Sequence, residues 1–199
     1  MLMLAVLLFA KFSKNSMSKS ILSQTNKYST TNWAKKVVPT VFDCSEYQLD
    51  AFTSAWSDSL IIKARAVGAV IKNDVAVGEF FGSNNRNVQF KVLSVFAGSF
   101  IIPFNATCVA ECVSKQDIEV NMSSSMFSVC PSFFDLNMYG YKSQAGALVN
   151  AETQMTGVIE SHGMSHEEIK QLAKTSPEEV MDYSEAYQYF AESVGQDAE

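Results

Sequence analysis

The sequence has few of the features that mark disulfide-rich scaffolds, nucleic-acid binders and membrane spans. Only four of its 199 residues are cysteines, too few for a small disulfide scaffold but enough for two disulfide bonds. Its 15 basic residues are outnumbered by 21 acidic ones, and the net charge of -6 argues against a nucleic-acid partner. No apolar run reaches the roughly 18 residues that cross a bilayer, so no membrane span is expected.

The remaining composition is that of one ordinary globular domain with an uneven charge. Hydrophobic residues make up 47% of the chain and charged residues 18%, which is enough to bury a core. The first 40 residues contain six lysines and no acidic residue, whereas the segment from Asn150 to the end contains eleven acidic residues and two lysines. The acidic half disfavours docking on DNA or an anionic membrane through that face.

The N-terminal segment has the pattern of a leader. Residues 2–10 form an apolar block as long as the core of a signal peptide, although no basic residue precedes it and Lys11 follows at once. The polar, acid-free stretch after it is typical of a flexible leader or pro-like segment. We expect residues 1–40 to be this leader, residues 41–199 to form the domain, and the protein to be secreted through an atypical signal peptide. A displaced start is the alternative.

Two short motifs also favour the secretory route. Asn105-Ala106-Thr107 and Asn121-Met122-Ser123 both fit the acceptor pattern for N-linked glycans, which makes Asn105 and Asn121 candidate glycosylation sites. Such triplets are common by chance, so the alternative interpretation is two polar turns.

Hydrophobic spacing predicts helices in the first half of the domain. Ser45 and Gln48 form a capping-box pattern. The residues that follow recur at steps of three and four, which predicts a long amphipathic helix: Leu49, Phe52, Trp56, Leu60, Lys63 and Val67. A break with a turn at residues 80–82 comes next, and a second helix starts at about Asn87.

The second half predicts a hairpin and then more helices. Residues 117–120 and 126–129 are β-prone segments separated by a polar loop, which indicates a hairpin. Ser143 is a candidate cap for a helix that closes near Gly157. A further helix is predicted over about 165–174, and Pro177 opens the last one. This order indicates an α+β fold, mainly helical with a small antiparallel hairpin or sheet.

Five segments share their order and spacing with one known family. They are FDCS at 42–45, Phe81-Gly82, the cysteines at 108 and 130, SQAGALV at 143–149, and LAKTSPEEVMDYSEAYQYFAES at 172–193. Together they resemble the fungal secreted peptidyl-Lys metalloendopeptidases, relatives of the deuterolysins in the zincin group. The resemblance covers about three quarters of the chain. It implies a zincin-like metalloprotease fold and a lysine-specific metalloendopeptidase-like domain over residues 41–199.

The resemblance also implies how the cysteines pair. The residues alone leave three pairings open, as well as four buried free thiols in a reducing compartment. The family pattern implies the disulfides Cys44–Cys108 and Cys112–Cys130, the second of which would hold the hairpin.

The segment that corresponds to the catalytic motif of the family lacks its chemistry. The family has HExxH, in which two histidines bind zinc and the Glu activates the bound water, followed by an Asp as third ligand. Asn150 and Gln154 stand at the histidine positions, Ala151 at the Glu position, and Ser161 nearest the Asp. Because amides bind Zn²⁺ poorly, we predict no catalytic residue and no metal cofactor. Glu152 is expected to face elsewhere, since one helical position turns a side chain by about 100°.

A second pair of residues offers an alternative metal site. His162 and His166 have the H-x-x-x-H spacing and would bind one metal ion if they lay a helical turn apart. Gly163 follows His162 directly and cannot serve as a base. The other interpretation is two partly exposed polar residues before an acidic helix.

Lysine specificity in the family comes from acidic residues on its closing helix. Glu185 stands at one of these positions, and Gln188 stands at the other, where the family has Glu, so the implied pocket is weaker. The alternative is a solvated acidic face made of Glu178, Glu179, Asp182 and Glu185. The neighbouring aromatic residues are expected to pack in the core and at its rim: Tyr187, Tyr189 and Phe190.

Three functions therefore remain open. The first is a pseudopeptidase, a secreted protein that binds a peptide or protein in the former substrate cleft without cleaving it. The second is an active zinc metalloendopeptidase with a rearranged site. The third is a decayed gene product, for which the unusual N-terminus is the main support.

Overall fold

The computed structural model describes residues 39–114, 116–159 and 163–196. The predicted leader therefore lies outside the described residues except at its last two positions, and so do Ser161 and His162. The described part contains seven α-helices and a four-stranded sheet. The helices are α1 (Glu46–Ile71), α2 (Val75–Phe81), α3 (Arg86–Ile101), α4 (Gln144–Gln154), α5 (His166–Thr175), α6 (Pro177–Val180) and α7 (Ser184–Gln196), with a 3-10 turn at Pro131–Asp135. None of the described helices is both long and apolar enough to cross a membrane.

The sheet is mixed and has the order β1-β2-β4-β3. Its strands are β1 (Thr40–Phe42), β2 (Asn105–Cys108), β3 (Ile118–Asn121) and β4 (Met126–Val129). The predicted antiparallel hairpin is confirmed as β3 and β4, with Ile118 opposite Val129. The parallel pairs β1–β2 and β2–β4 were not predicted. They join segments that are remote in sequence, as parallel pairing requires a long crossover connection.

The helix prediction needs two corrections. Residues predicted as a break form α2 instead, which Asp74 caps by accepting a hydrogen bond from the Ala76 N–H, and which Gly82 ends at φ 73°. The predicted last helix is two helices, because α6 stops at Val180 and α7 starts afresh at Ser184. The predicted capping box of α1 is confirmed: the Ser45 hydroxyl and the Gln48 amide each accept from the other residue's backbone N–H.

Both implied disulfides are present. Cys44–Cys108 joins the start of α1 to the end of β2, and Cys112–Cys130 joins the loop after β2 to the end of β4. The first closes a separation of 64 residues. In the chain-entropy view, a loop of this length stabilises the fold by about 4 kcal/mol. The two disulfides thus tie down the ends of β2 and β4, the strands of the parallel pair that was not predicted from the sequence.

Two apolar clusters form the core. One lies among the helices, where the rings of Phe81, Phe96, Tyr187 and Phe190 pack with centroids 5.1–6.1 Å apart. The other lies between the sheet and helices α1 and α4, and contains Phe52, Phe127 and Leu148 among others. Helices α1 and α4 contribute side chains to both clusters and therefore connect them.

A buried ion pair ties α4 to α1. Lys63 Nζ lies 2.6 Å from Glu152 Oε2, and both side chains are at most 2% exposed. Lys63 also donates to the carbonyl of Ser99 and lies over the Phe100 ring. Burial lowers the pKa of Lys63 and raises the pKa of Glu152, and each charge opposes the shift of the other. Glu152 therefore turns away from the cleft described below, as the sequence predicted.

We expect Lys63→Met to destabilise the fold by about 3–5 kcal/mol, because it leaves a buried carboxyl without its cation. The double variant Lys63→Met/Glu152→Leu should recover most of this loss, since apolar residues of similar volume then fill the same space. Urea unfolding of the wild type, both single variants and the double variant measures the coupling. A loss in the double variant equal to the sum of the two single losses would contradict a direct interaction between the two side chains.

Candidate functional site

Helix α4 begins at a buried polar anchor. The Ser143 hydroxyl accepts from the Gly146 N–H at 3.0 Å, which confirms Ser143 as the helix cap. Glu192 on α7 accepts from the backbone N–H and the hydroxyl of Ser143, at 3.0 and 3.1 Å, and from the Lys142 N–H. A Cβ at position 146 would overlap the Glu192 carboxylate. Glycine at this position therefore lets α7 place a carboxylate against the first turn of α4.

A chain of side-chain hydrogen bonds runs from this anchor along α4. Gln188 donates to Glu192 at 3.4 Å, Asn150 donates to Gln188 at 3.0 Å, and Gln154 donates to Asn150 at 2.8 Å. The Ser184 hydroxyl donates to the same Asn150 oxygen at 2.9 Å. Every amide N–H in this amide chain points towards the Glu192 end. The contact between Asn150 and Gln154 also shows that these two side chains share one face of α4.

The side chains of the amide chain would form a poor binding site for a zinc ion. Both lone pairs of Asn150 Oδ1 are occupied by the donors from Gln154 and Ser184, and Gln188 Oε1 accepts from Asn150. Carboxamide oxygens are also weak ligands for Zn²⁺ compared with imidazole and carboxylate. Within residues 39–114, 116–159 and 163–196, no three His, Cys, Asp or Glu side chains are grouped so that they could hold a metal ion. The residues present therefore do not fit the zinc that the resemblance implies.

The neighbouring positions on α4 offer no general base to the same face. Ala151 is 1% exposed and packs in the cluster between helices and sheet. Glu152 is engaged with Lys63 in the interior. A carboxylate that could activate water beside the amide chain would have to come from another element, and Glu185 and Asp117 are the two that line the adjoining cleft.

That cleft has a volume of about 440 Å³ and lies between α4, α7 and the β3 edge of the sheet. Asn150 and Gln188 form part of its wall together with Asp117, Ile118 and Tyr189. Gln154 and Ser184 hold Asn150 from outside this lining. The amide chain thus joins α4 to α7, and through Asn150 and Gln188 it also forms a surface that a ligand in the cleft would contact.

Glu185 and Gln188 were predicted as the substrate pocket, and both line this cleft. Glu185 is only 4% exposed, and Gly163 donates to its carboxylate at 3.4 Å. The alternative of one solvated acidic face is therefore wrong for Glu185, although Glu178, Glu179 and Asp182 are exposed. Burial follows from the helix break at Met181–Tyr183, which turns the first residues of α7 inwards. The predicted packing role of Tyr187, Tyr189 and Phe190 is confirmed by their burial.

The strand that borders the cleft has one open side. Cys130 N–H donates to the Asp117 carbonyl, and the antiparallel register places Glu119 opposite Ser128. Because hydrogen-bonded pairs alternate in antiparallel ladders, the backbone N–H and C=O groups of Ile118 and Val120 are directed away from β4. β3 is the last strand in the sheet order, so these groups form an edge on which an extended peptide could pair.

Of the alternative histidine pair, the structure describes His166, and the three residues before it are not helical. His166 is the first residue of α5, while Gly163 has φ 98° and Ser165 caps the helix in an extended conformation. The His166 ring lies among aromatic rings, 4.4 Å from Tyr141, 5.2 Å from Phe80 and 5.6 Å from Tyr189 between centroids. Because His162 lies outside the described residues, the metal site of His162 and His166 stays a prediction.

Three residues of the site were not predicted from the sequence. Lys142 lines the cleft, Ser184 orients Asn150, and Glu192 ends the amide chain. The sequence offered one sign of Glu192: it lies one helical turn after Gln188, which places both residues on the same face of the helix. Burial raises its pKa to about 7, against the opposing effect of the donors from Ser143. Burial, together with the nearby carboxylates Glu192 and Glu185, raises the pKa of Tyr189 to about 12.

The fold is that of a zincin-like metallopeptidase. A zinc peptidase from Grifola frondosa superposes with a TM-score of 0.67 over 75% of this chain and 96% of its own, at 19% sequence identity. At this identity the likeness shows the fold alone. No family model matches the sequence, and no curated protein matches it. The structural match agrees with the resemblance drawn from the short motifs.

We expect the stability of the domain to depend on pH through Glu192. Its pKa of about 7 lies above the unfolded value near 4.3, so its contribution to folding is present below about pH 4 and is lost as the pH rises through 7. Glu192→Gln should remove roughly 2–4 kcal/mol of this pH dependence between pH 4.5 and 8. Urea unfolding at both pH values measures it, with the exposed Glu178→Gln as control. Identical pH profiles for the wild type and Glu192→Gln would contradict the assignment.

Proposed function

We propose that the protein is a secreted, non-catalytic peptide-binding module built on a metallopeptidase fold. The observation that carries this proposal is the amide chain, which fills the helix face where a metallopeptidase of this kind has its two histidines. Side chains that hydrogen-bond one another hold the floor of the cleft in place without a metal ion. The cleft and its open strand edge remain available to a ligand.

The composition of the cleft supports an extended peptide as the ligand. The outward N–H and C=O groups of Ile118 and Val120 can pair with a peptide backbone, which is how edge strands recruit extended segments. The charged side chains in the lining are Asp117, Glu185 and Lys142. Two carboxylates against one ammonium favour a peptide that carries a cationic side chain over an acidic one.

The two disulfides support a secreted location, since such bonds persist in oxidising compartments and are rare in the cytosol. A cytosolic protein of this fold would also lose the restraint that Cys44–Cys108 places on the unfolded chain. A peptide-binding role outside the cell is therefore the function that these features support best.

Peptide binding is tested by fluorescence anisotropy with labelled ten-residue peptides that carry Lys or Glu at a central position. We expect the Lys peptide to bind and the Glu peptide to bind more weakly. Val120→Pro removes one outward N–H and leaves the ladder to β4 intact, so it should weaken binding about tenfold. Val120→Ala keeps that N–H and is the matched control. Equal binding by both variants, or no binding by the wild type, would exclude strand addition.

Metal content and cleavage of the same peptides separate this proposal from an active peptidase. We expect purified protein to contain no stoichiometric zinc and to leave the peptides intact after long incubation with added Zn²⁺. The double variant Asn150→His/Gln154→His serves as the positive control for metal uptake, because these side chains share one face of α4. Stoichiometric zinc in the wild type together with chelator-sensitive cleavage would establish the metalloendopeptidase instead.

A further inference from the structure

We infer that Asn121 carries an N-linked glycan and that Asn105 does not. The chain contains two acceptor triplets, and the fold treats them differently. Asn121 is the last residue of β3 and starts the exposed hairpin turn, whereas Asn105 is the first residue of β2, between β1 and β4. The inference rests on the secreted location in the proposed function and is independent of what the cleft binds.

The Asn121 triplet is already folded back on itself. Its side-chain oxygen accepts from the Ser123 hydroxyl at 2.7 Å, and from the N–H groups of Ser123 and Ser124 at 3.1 and 3.2 Å. All four residues from Asn121 to Ser124 are exposed. No described residue accepts a hydrogen bond from Asn121 Nδ2, the atom that would bear the sugar. The amide and the hydroxyl that define the acceptor motif are therefore adjacent and accessible.

The Asn105 triplet is held apart in a strand. The Cα atoms of residues two apart in a strand lie about 6.6 Å from each other, and among the described residues no hydrogen bond joins the Asn105 amide to the Thr107 hydroxyl. The Thr107 hydroxyl instead donates to Asp43 at 3.3 Å, and the backbone N–H of Asn105 donates to the Ser125 carbonyl. Cys108, the next residue, is bonded to Cys44. Once this disulfide forms, the triplet cannot adopt the compact shape seen at Asn121.

The transfer is a substitution at a sugar carbon and needs no redox partner. The co-reactant is a lipid-linked oligosaccharide pyrophosphate of the secretory pathway. A bond forms between Asn121 Nδ2 and C1 of the first sugar while the bond from C1 to the pyrophosphate oxygen breaks. The amide nitrogen loses one proton, and the lipid pyrophosphate leaves with the electron pair of the broken bond.

A glycan at Asn121 would lie beyond the cleft on the same strand. Asn121 is three positions after Ile118, which lines the cleft, and this is about 10 Å along an extended strand. The glycan would cover the far end of the open β3 edge and leave the cleft end accessible. Bulky hydrophilic cover on an exposed edge also disfavours strand pairing between copies of the chain.

The test is secretion of the full chain behind a host signal peptide from a yeast that attaches N-linked glycans. Intact mass is measured on secreted and cell-retained protein, before and after enzymatic removal of N-linked glycans. We expect one glycan on the wild type. Asn121→Gln and Ser123→Ala should lose it, while Asn105→Gln and the neighbouring control Ser124→Ala should keep it.

Three results would overturn the inference: a glycan that persists in Asn121→Gln, a second glycan that disappears in Asn105→Gln, or wild-type protein without any glycan. The last result would leave the peptide-binding proposal untouched, because anisotropy with the unglycosylated protein tests that separately. Conversely, a glycosylated protein that binds no peptide would support the modification site and exclude the proposed ligand.

Discussion

The carboxylate of Glu192 organises the site. It lies against the first turn of α4, where the helix leaves N–H groups without intrahelical partners, and it also receives the last donor of the amide chain. Because Gln188 accepts from Asn150 and Asn150 accepts from Gln154, the orientation of Gln154 at one end depends on Glu192 at the other. Removing one member leaves buried polar atoms unpaired, which costs more than the bond itself contributes. The chain is therefore one unit, and it fixes how α4 and α7 face each other.

Burial explains why this helix face has no base. Glu152, the one carboxylate on α4, points into the core, where it pairs with Lys63. A buried carboxyl group is stable only beside a cation or in its protonated form, so Glu152 and Lys63 depend on one another. The pair joins α1 to α4. Helix α4 thus has a core side held by the ion pair of Glu152 and a cleft side that carries Asn150. It supports the wall of the cleft.

Much of the fold could be predicted from local patterns. The capping box at Ser45, the hairpin of β3 and β4, and the cap at Ser143 are confirmed because each depends on residues within a few positions of one another. The pairing of the disulfides is confirmed as well, but it came from the family resemblance and not from the residues. The parallel pairs of β2 escaped prediction because strands of three or four residues carry little periodicity. Helix α2 was not predicted because the Phe80-Phe81-Gly82 pattern is compatible with either a turn or the end of a helix.

The sequence by itself determined that Asn150, Ala151 and Gln154 offer neither a strong zinc ligand nor a general base, since that conclusion needs only the chemistry of their side chains. It also determined that Glu152 points elsewhere, because helical geometry fixes the angle between neighbours. Only the tertiary structure decided what these residues do instead. Ser184, Gln188 and Glu192 lie 34 to 50 positions from their partners on or near α4, and hydrogen bonds over such separations leave no periodic trace in the sequence. Likewise, both acceptor triplets read alike as sequence, and their difference comes from the strands that flank one and the open turn that holds the other.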